Sequence, residues 1–493
     1  MLWVLGIGFS IMVAYAIITN IIFIWRTYTG RKVKPAEQKK RQHAHVKEIS
    51  GSVLHLFIGL LLVGFAVIVL SIYGGDLFGE ASYLPVGVLG VVCVLGYAIV
   101  IFASGIRTLY FEHRHLPHAK IGTGFLGIGL ILLVTLPVAG ASTLFVNCNN
   151  TYTIPVGITI YTNLFTSGDN GYNTYKIPSL AIAPNGTILA FCEGRKNSNA
   201  DHGDIQIVMR KSYDNGGTWT PMQILVNAGP ITAGNPCPVV DHMTGTIWML
   251  YCLDNLRVLA INSTNNGETW SVPRDITTNV TDPSWTWVGT GPGNGIELAS
   301  GRLLVPTYHI IGSNQYCGII YSDDHGVSWK TSTYVNGLFE EPQAVQLVNG
   351  TVLLSLRPDS GVNLRAEAFS NDGGITWSAA TYTNLTSPSC QGSIIRYTNT
   401  SSYSKNRIIF SNPDDTRRDN LVIRLSYDEG KTWTYSKPLW VGPAGYSDLA
   451  ITKTMQICSL FECGSTPCSN YYEHIAYARY NLTWLTNGND SSL

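Results

Sequence analysis

The sequence predicts an all-β six-bladed β-propeller preceded by an α-helical transmembrane region of four spans. Three observations predict it: long apolar runs confined to the first 145 or so residues, a Gly-, Thr-, Asn-, Trp- and Tyr-rich remainder, and a motif that recurs through that remainder. The domain reading is residues 1–145 for the membrane region, 146–160 for a linker and 161–493 for the propeller. Net charge is zero and 13% of residues are charged, which excludes the basic footprint of a nucleic-acid binder.

Four runs, about 2–25, 53–73, 86–106 and 121–142, are long enough to cross a bilayer. The loop at 26–50 carries eight Lys or Arg residues and that at 107–120 carries Arg107, Arg114 and Lys120. The middle loop, 74–85, has Asp76 and Glu80 and no basic residue. The positive-inside bias therefore predicts a multi-pass protein of the cell membrane with its C-terminal domain on the extracytoplasmic side. Nine Asn-X-Ser/Thr triplets between Asn149 and Asn489 agree with an external face. No intramembrane carboxylate or basic residue points to an ion path, so the region reads as an anchor.

The repeat is Ser-Tyr-Asp-Asn-Gly-Gly-Thr-Trp at Ser212–Trp219. It returns at Ser263–Trp270, Ser322–Trp329, Ser370–Trp377 and Ser426–Trp433, with start-to-start spacings of 51, 59, 48 and 56 residues. That period matches one four-stranded blade. Asp and Gly make a tight turn, and Trp supplies a large apolar body to bury. Six blades fit the length, one of them without the motif. Ten cysteines are present, nine of them after the membrane region, and none has zinc-finger spacing.

These repeats stand beside Tyr175-Lys176-Ile177-Pro178, Phe191-Cys192-Glu193-Gly194-Arg195, Asp201-His202-Gly203-Asp204, Gly234-Asn235-Pro236, Glu341-Pro342-Gln343, Ser411-Asn412-Pro413 and Tyr446-Ser447-Asp448-Leu449. In that order they resemble the exo-sialidases, retaining glycoside hydrolases, over about Tyr161 to Leu485. The resemblance implies sialylated glycans or glycolipids as substrate and no cofactor or metal. It implies a cluster of three cations that grips the sugar's carboxylate, at Lys176, Arg365 and Arg418, with Arg417 and Arg424 as competing choices for the third. Arg suits that task because its planar fork takes a carboxylate in bidentate fashion. Lys176 stands where the family has Arg, which exchanges the fork for a point donor.

The resemblance further implies Asp201 as acid/base, with Asp204 three residues on. Tyr446 is the expected nucleophile and Glu341, rather than the adjacent Glu340, its base. A phenol suits an anomeric carbon that already bears a carboxylate, since two like charges at ~4 Å cost about 4 kcal/mol at an effective dielectric near 20. Arg195 is expected to support the clamp or the sugar's C4 side, and Tyr308 to wall the pocket with Trp285 and Trp287. A sialic-acid-binding adhesin with weakened turnover is the alternative that Lys176 keeps open.

Overall fold

The computed structural model describes residues 151–491. The four expected spans, between residues 2 and 142, lie outside the described residues. Among the described residues no helix is long and apolar enough to cross a membrane. Among the described residues, two helices of four residues, Thr277–Val280 and Leu482–Leu485, accompany twenty-five strands.

The strands form antiparallel sheets arranged as a propeller, but six separate four-stranded blades are not what the chain builds. There are five sheets: three of four strands, one of six and one of seven. Thr174–Ile182, Ala233–Asp241 and Phe339–Gln346 each begin a four-stranded sheet. The six-stranded sheet centres on Leu303–Ile311 and Asn314–Ser322. The seven-stranded sheet arises from one strand of 17 residues, Tyr435–Ile451. Its first half pairs with Asp419–Ser426 and its second with Ile457–Cys463, so two hairpin stacks become one sheet. Ile160–Thr166 joins that sheet at its far edge, beside His474–Tyr480.

Thr174–Ile182 packs against Ala233–Asp241, which packs in turn against Leu303–Ile311, then Phe339–Gln346, then Ser393–Thr398; Tyr435–Ile451 packs against Ser393–Thr398 and against Thr174–Ile182, which closes the ring. Strands such as Ile188–Arg195 and Ile457–Cys463 are buried along their whole length because sheets cover both faces. The core is accordingly layered. One cluster joins Leu189, Phe191 and Ile207 of one sheet to Ile247, Met249 and Tyr251 of the next.

The five repeated turns all lie between the third and fourth strand positions of a stack. Ser212 Oγ donates to Asp214 Oδ1 at 2.8 Å and accepts from Gly216 N at 2.7 Å, while Thr218 N donates to Asp214 Oδ1 at 2.8 Å. Gly216 has φ 87°, and a Cβ there would lie 2.3 Å from the Tyr477 ring, so only glycine fits. Trp219 meets that same Tyr477 edge-on, Trp270 meets Phe191 and Trp329 meets Trp248, each on the preceding sheet. The motif thus bolts neighbouring sheets together. Cys468 is disulfide-bonded, and the seven other described cysteines are free and buried.

Candidate active site

Proline cannot donate to a strand ladder, so inside a sheet it demands an edge or a bulge. The inner strands contain Ile177-Pro178, Asn235-Pro236 and Glu341-Pro342, and each pair sits in a register shift: Lys176/Ser179, Gly234/Cys237 and Glu340/Gln343. The preceding residue has positive φ in all three: Ile177 60°, Asn235 54° and Glu341 45°. For a β-branched residue such as Ile177 this conformation costs about 1–3 kcal/mol, and it persists only where surrounding contacts impose it. A fourth shift, Ala444/Ser447, flanks Tyr446. These bulges aim side chains that regular pleating would send elsewhere.

Two buried carboxylates hold the bulges in place. Glu462, fully buried, accepts Ile177 N–H through Oε1 and Tyr446 N–H through Oε2, both at 3.0 Å. Glu193 accepts Asn235 N–H through Oε1 at 2.8 Å and binds Arg195 through Oε2 at 2.6 Å. One carboxylate therefore fixes the backbone of both Ile177 and Tyr446, residues 269 positions apart in the chain.

Tyr446 Oη donates to Glu341 Oε1 at 2.5 Å. Arg357 Nη1 donates to Glu341 Oε2 at 2.5 Å and to Tyr446 Oη at 3.0 Å. The Arg418 guanidinium lies 5.0 Å from the centre of the Tyr446 ring and donates to Tyr472 Oη at 3.0 Å. Lys176 Nζ lies 4.4 Å over the Tyr472 ring and donates to Asp201 Oδ1 at 3.1 Å. Arg195 Nη1 reaches the same Asp201 oxygen at 2.6 Å. Burial pushes the Tyr446 phenol well above its ordinary range, and Glu341 adds to this, while Arg357 and Arg418 pull the other way. Partial desolvation raises the Asp201 carboxyl, but Lys176 and Arg195 outweigh it and hold the group at about 2. Burial raises Glu340 to about 7 despite Arg357 3.5 Å away.

The structure thus brings Lys176, Arg195, Asp201, Glu341, Arg418 and Tyr446 into one connected group. Arg365 is not in it. That side chain is wholly buried, donates to Ser355 Oγ and the Cys390 carbonyl at 3.1 and 3.0 Å, and lies 5.6 Å from the Phe410 ring centre. Arg357 occupies the place expected of it. Both arginines belong to one hairpin, Val352–Pro358 and Leu364–Ser370, but Arg357 stands opposite Glu340 on the inner strand pair. Tyr308 is also enclosed, 5% exposed in a core cluster with Leu304, Phe339 and Leu356. Its phenol is pushed up by burial and by nearby Glu341 and Glu340, so it backs the base from within the core. Trp285 stacks on His309 at 3.7 Å, whereas Trp287 meets His202 edge-on at 5.2 Å.

The arrangement pairs a phenol with a base, surrounds the pair with cations suited to a carboxylate, and places an exposed acid beside them. Arg357, Glu462 and Tyr472 are the members that sequence reasoning missed. A carboxylate in the mostly apolar run Ile457–Cys463 was the available signal for Glu462.

The family model of a BNR repeat-like domain matches residues 186–458. An exo-alpha-sialidase of Aspergillus fumigatus is 31% identical over 364 residues, covering 64% of this chain and 86% of that one. A sialidase of Micromonospora viridifaciens is 32% identical over 367 residues, covering 67% and 55%. Among solved structures, a Hadza microbial sialidase superposes with TM-score 0.59 at 29% identity, covering 65% of this chain and 68% of that one. The intramolecular trans-sialidase of Ruminococcus gnavus, at 20% identity and TM-score 0.57 over 66% and 98%, shares the fold. The chain belongs to the exo-α-sialidases, glycoside hydrolases with a BNR repeat-like domain.

Proposed function

We propose that this enzyme releases terminal sialic acid, or a related nonulosonic acid, from sialylated glycans or glycolipids with retention, through a covalent adduct on Tyr446. The observation that carries the reading is the Tyr446–Glu341 hydrogen bond with Arg357 bound to both partners. Lys176, Arg357 and Arg418 grip the substrate carboxylate. Glu341 takes the phenolic proton as Tyr446 Oη bonds to the anomeric carbon, and the departing oxygen receives a proton from Asp201. Water then attacks the same carbon, giving a proton to Asp201, while the phenolate leaves and recovers its proton from Glu341. Two inversions give net retention.

Lys176 has a second role in this scheme. With the site empty it neutralises Asp201, and the arriving carboxylate competes for the same ammonium. Asp201 is thereby released from one of its two cations as substrate binds, which raises its proton affinity when a proton donor is needed. The test is to incubate the enzyme with a difluorinated sialosyl fluoride and locate the adduct by peptide mass spectrometry. A sugar on the Tyr446 peptide, absent from Tyr446→Phe, is expected; a sugar on a carboxylate would refute the assignment.

We further propose that residues 1–145 hold this domain at the cell membrane on its extracytoplasmic side. The long apolar runs and the basic loops at 26–50 and 107–120 support that reading. Protease treatment of intact cells is expected to digest the domain; protection until the membrane is opened would place it on the other side.

A further inference from the structure

Beside the catalytic group lies a cavity of about 460 Å³, lined among others by Asn173, Ser198, Asn199, Ser469, Asn470 and Tyr472. Its size falls within the ~300–1,000 Å³ of small-ligand sites. Eight of its nine lining residues, Tyr472 among them, carry a hydroxyl or an amide, and the ninth is Glu473; none is Lys, Arg or aliphatic. Such a wall offers donors and acceptors to neutral hydroxyl-rich ligands. It offers no cation to a second acid or a phosphate, and no grease to a lipid tail.

Two lining residues also belong to the catalytic group. The Asn199 carbonyl accepts from Lys176 Nζ at 3.4 Å and from Arg195 Nη1 at 2.7 Å, two positions before Asp201. The Tyr472 ring carries Lys176 over one face, and its hydroxyl accepts from Arg418. An acid held by these cations and protonated from Asp201 has its departing oxygen on the side of the 198–201 loop, where the cavity begins.

We propose that this cavity is the seat of the leaving group, and that it selects a neutral sugar unit or two over an apolar aglycone. The inference rests on the roles given above to Asp201 and the carboxylate clamp. It makes Asn173 and Ser198, both exposed and outside that machinery, determinants of specificity for the glycan behind the scissile bond.

Asn173→Trp and Ser198→Trp in the full chain would each fill the cavity, both from the side where Asn173 N–H donates to the Lys196 carbonyl at 3.3 Å. Each variant and the wild type are assayed on sialyllactose and on a 4-methylumbelliferyl sialoside, whose flat aryl group needs no sugar subsite. The expected result is a KM for sialyllactose raised about ten-fold or more, with kcat/KM on the aryl sialoside within about two-fold. That aryl activity also shows the variants to be folded. Equal losses on both substrates, or an unchanged KM for sialyllactose, would overturn the proposal. Should the wild type hydrolyse neither substrate, the mechanism above fails. Saturation-transfer NMR with lactose alone then judges the cavity: a signal lost in both variants supports it, and a signal absent from wild type or kept in the variants overturns it.

Discussion

Replacing Arg357 by Gln tests the second cation of the clamp. The wild-type guanidinium makes two hydrogen bonds within the reacting pair, to Glu341 Oε2 at 2.5 Å and Tyr446 Oη at 3.0 Å, and Glu341 is only 4% exposed. Hydrogen bonds to charged groups contribute about 1.5–3 kcal/mol each, so the pair represents about 3–6 kcal/mol. If that orientation and charge stabilise the transition state, kcat/KM falls by ~10²–10⁴, at about 1.4 kcal/mol per decade. The informative companion is Arg365→Met, which replaces a buried cation by an apolar chain of similar length. Such exchanges are often tolerated, and here they cost the donors to Ser355 and Cys390 without touching the site. Initial rates on a fluorogenic sialoside, with thermal unfolding in parallel, separate the two. The refuting outcome is Arg357→Gln within about ten-fold of wild type, or Arg365→Met losing about a hundred-fold at unchanged Tm.

Asp201→Asn should cost more on sialyllactose than on an aryl sialoside, because an aryl oxide leaves without protonation; a general acid contributes about 10²–10⁴-fold. Equal losses on the two substrates would remove Asp201 from that role. Stability should depend on pH in a definite direction. Burial raises Glu340, Glu367 and Asp448 to about 7, from ordinary values of 4.5, 4.5 and 3.8. These groups hold their protons more tightly when folded, so stability falls as pH rises from about 4.5 through about 7. Asp201 acts with the opposite sign: its contribution is present above 3.8 and is lost only as pH falls toward about 2, outside that window. A Tm that declines across the window, with a shallower decline in Glu340→Gln, is expected; a Tm that climbs contradicts the burial argument.

The repeat made the propeller legible because its turn chemistry is local: Ser, Asp and Gly satisfy one another within five residues. The bulges were legible in principle, since Ile177-Pro178, Asn235-Pro236 and Glu341-Pro342 cannot sit in regular inner strands. Sheet count was not. Pro and Gly ordinarily interrupt strands, yet Tyr435–Ile451 continues through Pro438, Gly442 and Pro443 by changing partners, with register shifts at Asp419/Leu421 and Leu421/Val422. Arg357 escaped for a related reason. Alternation tells which residues share a face, and both Arg357 and Arg365 sit in strands covered on two sides. Only the cross-strand register, Glu340 opposite Arg357, distinguishes the arginine that meets the base from the one that meets Phe410. Glu462 is visible in the sequence as a carboxylate in a mostly apolar strand, but its partners are backbone N–H groups, which residue identity does not reveal.

Because the repeated turns each grip the sheet before them, and the first grips Tyr477 near the C-terminus, the circle has no weakest seam at which a part can be detached intact. Lys176, Glu341 and Tyr446 come from three sheets and meet only inside that circle. Turnover is consequently a gauge of circular integrity. Damage on the rim, far from any sugar, should register at the centre as loss of alignment before bulk unfolding is visible.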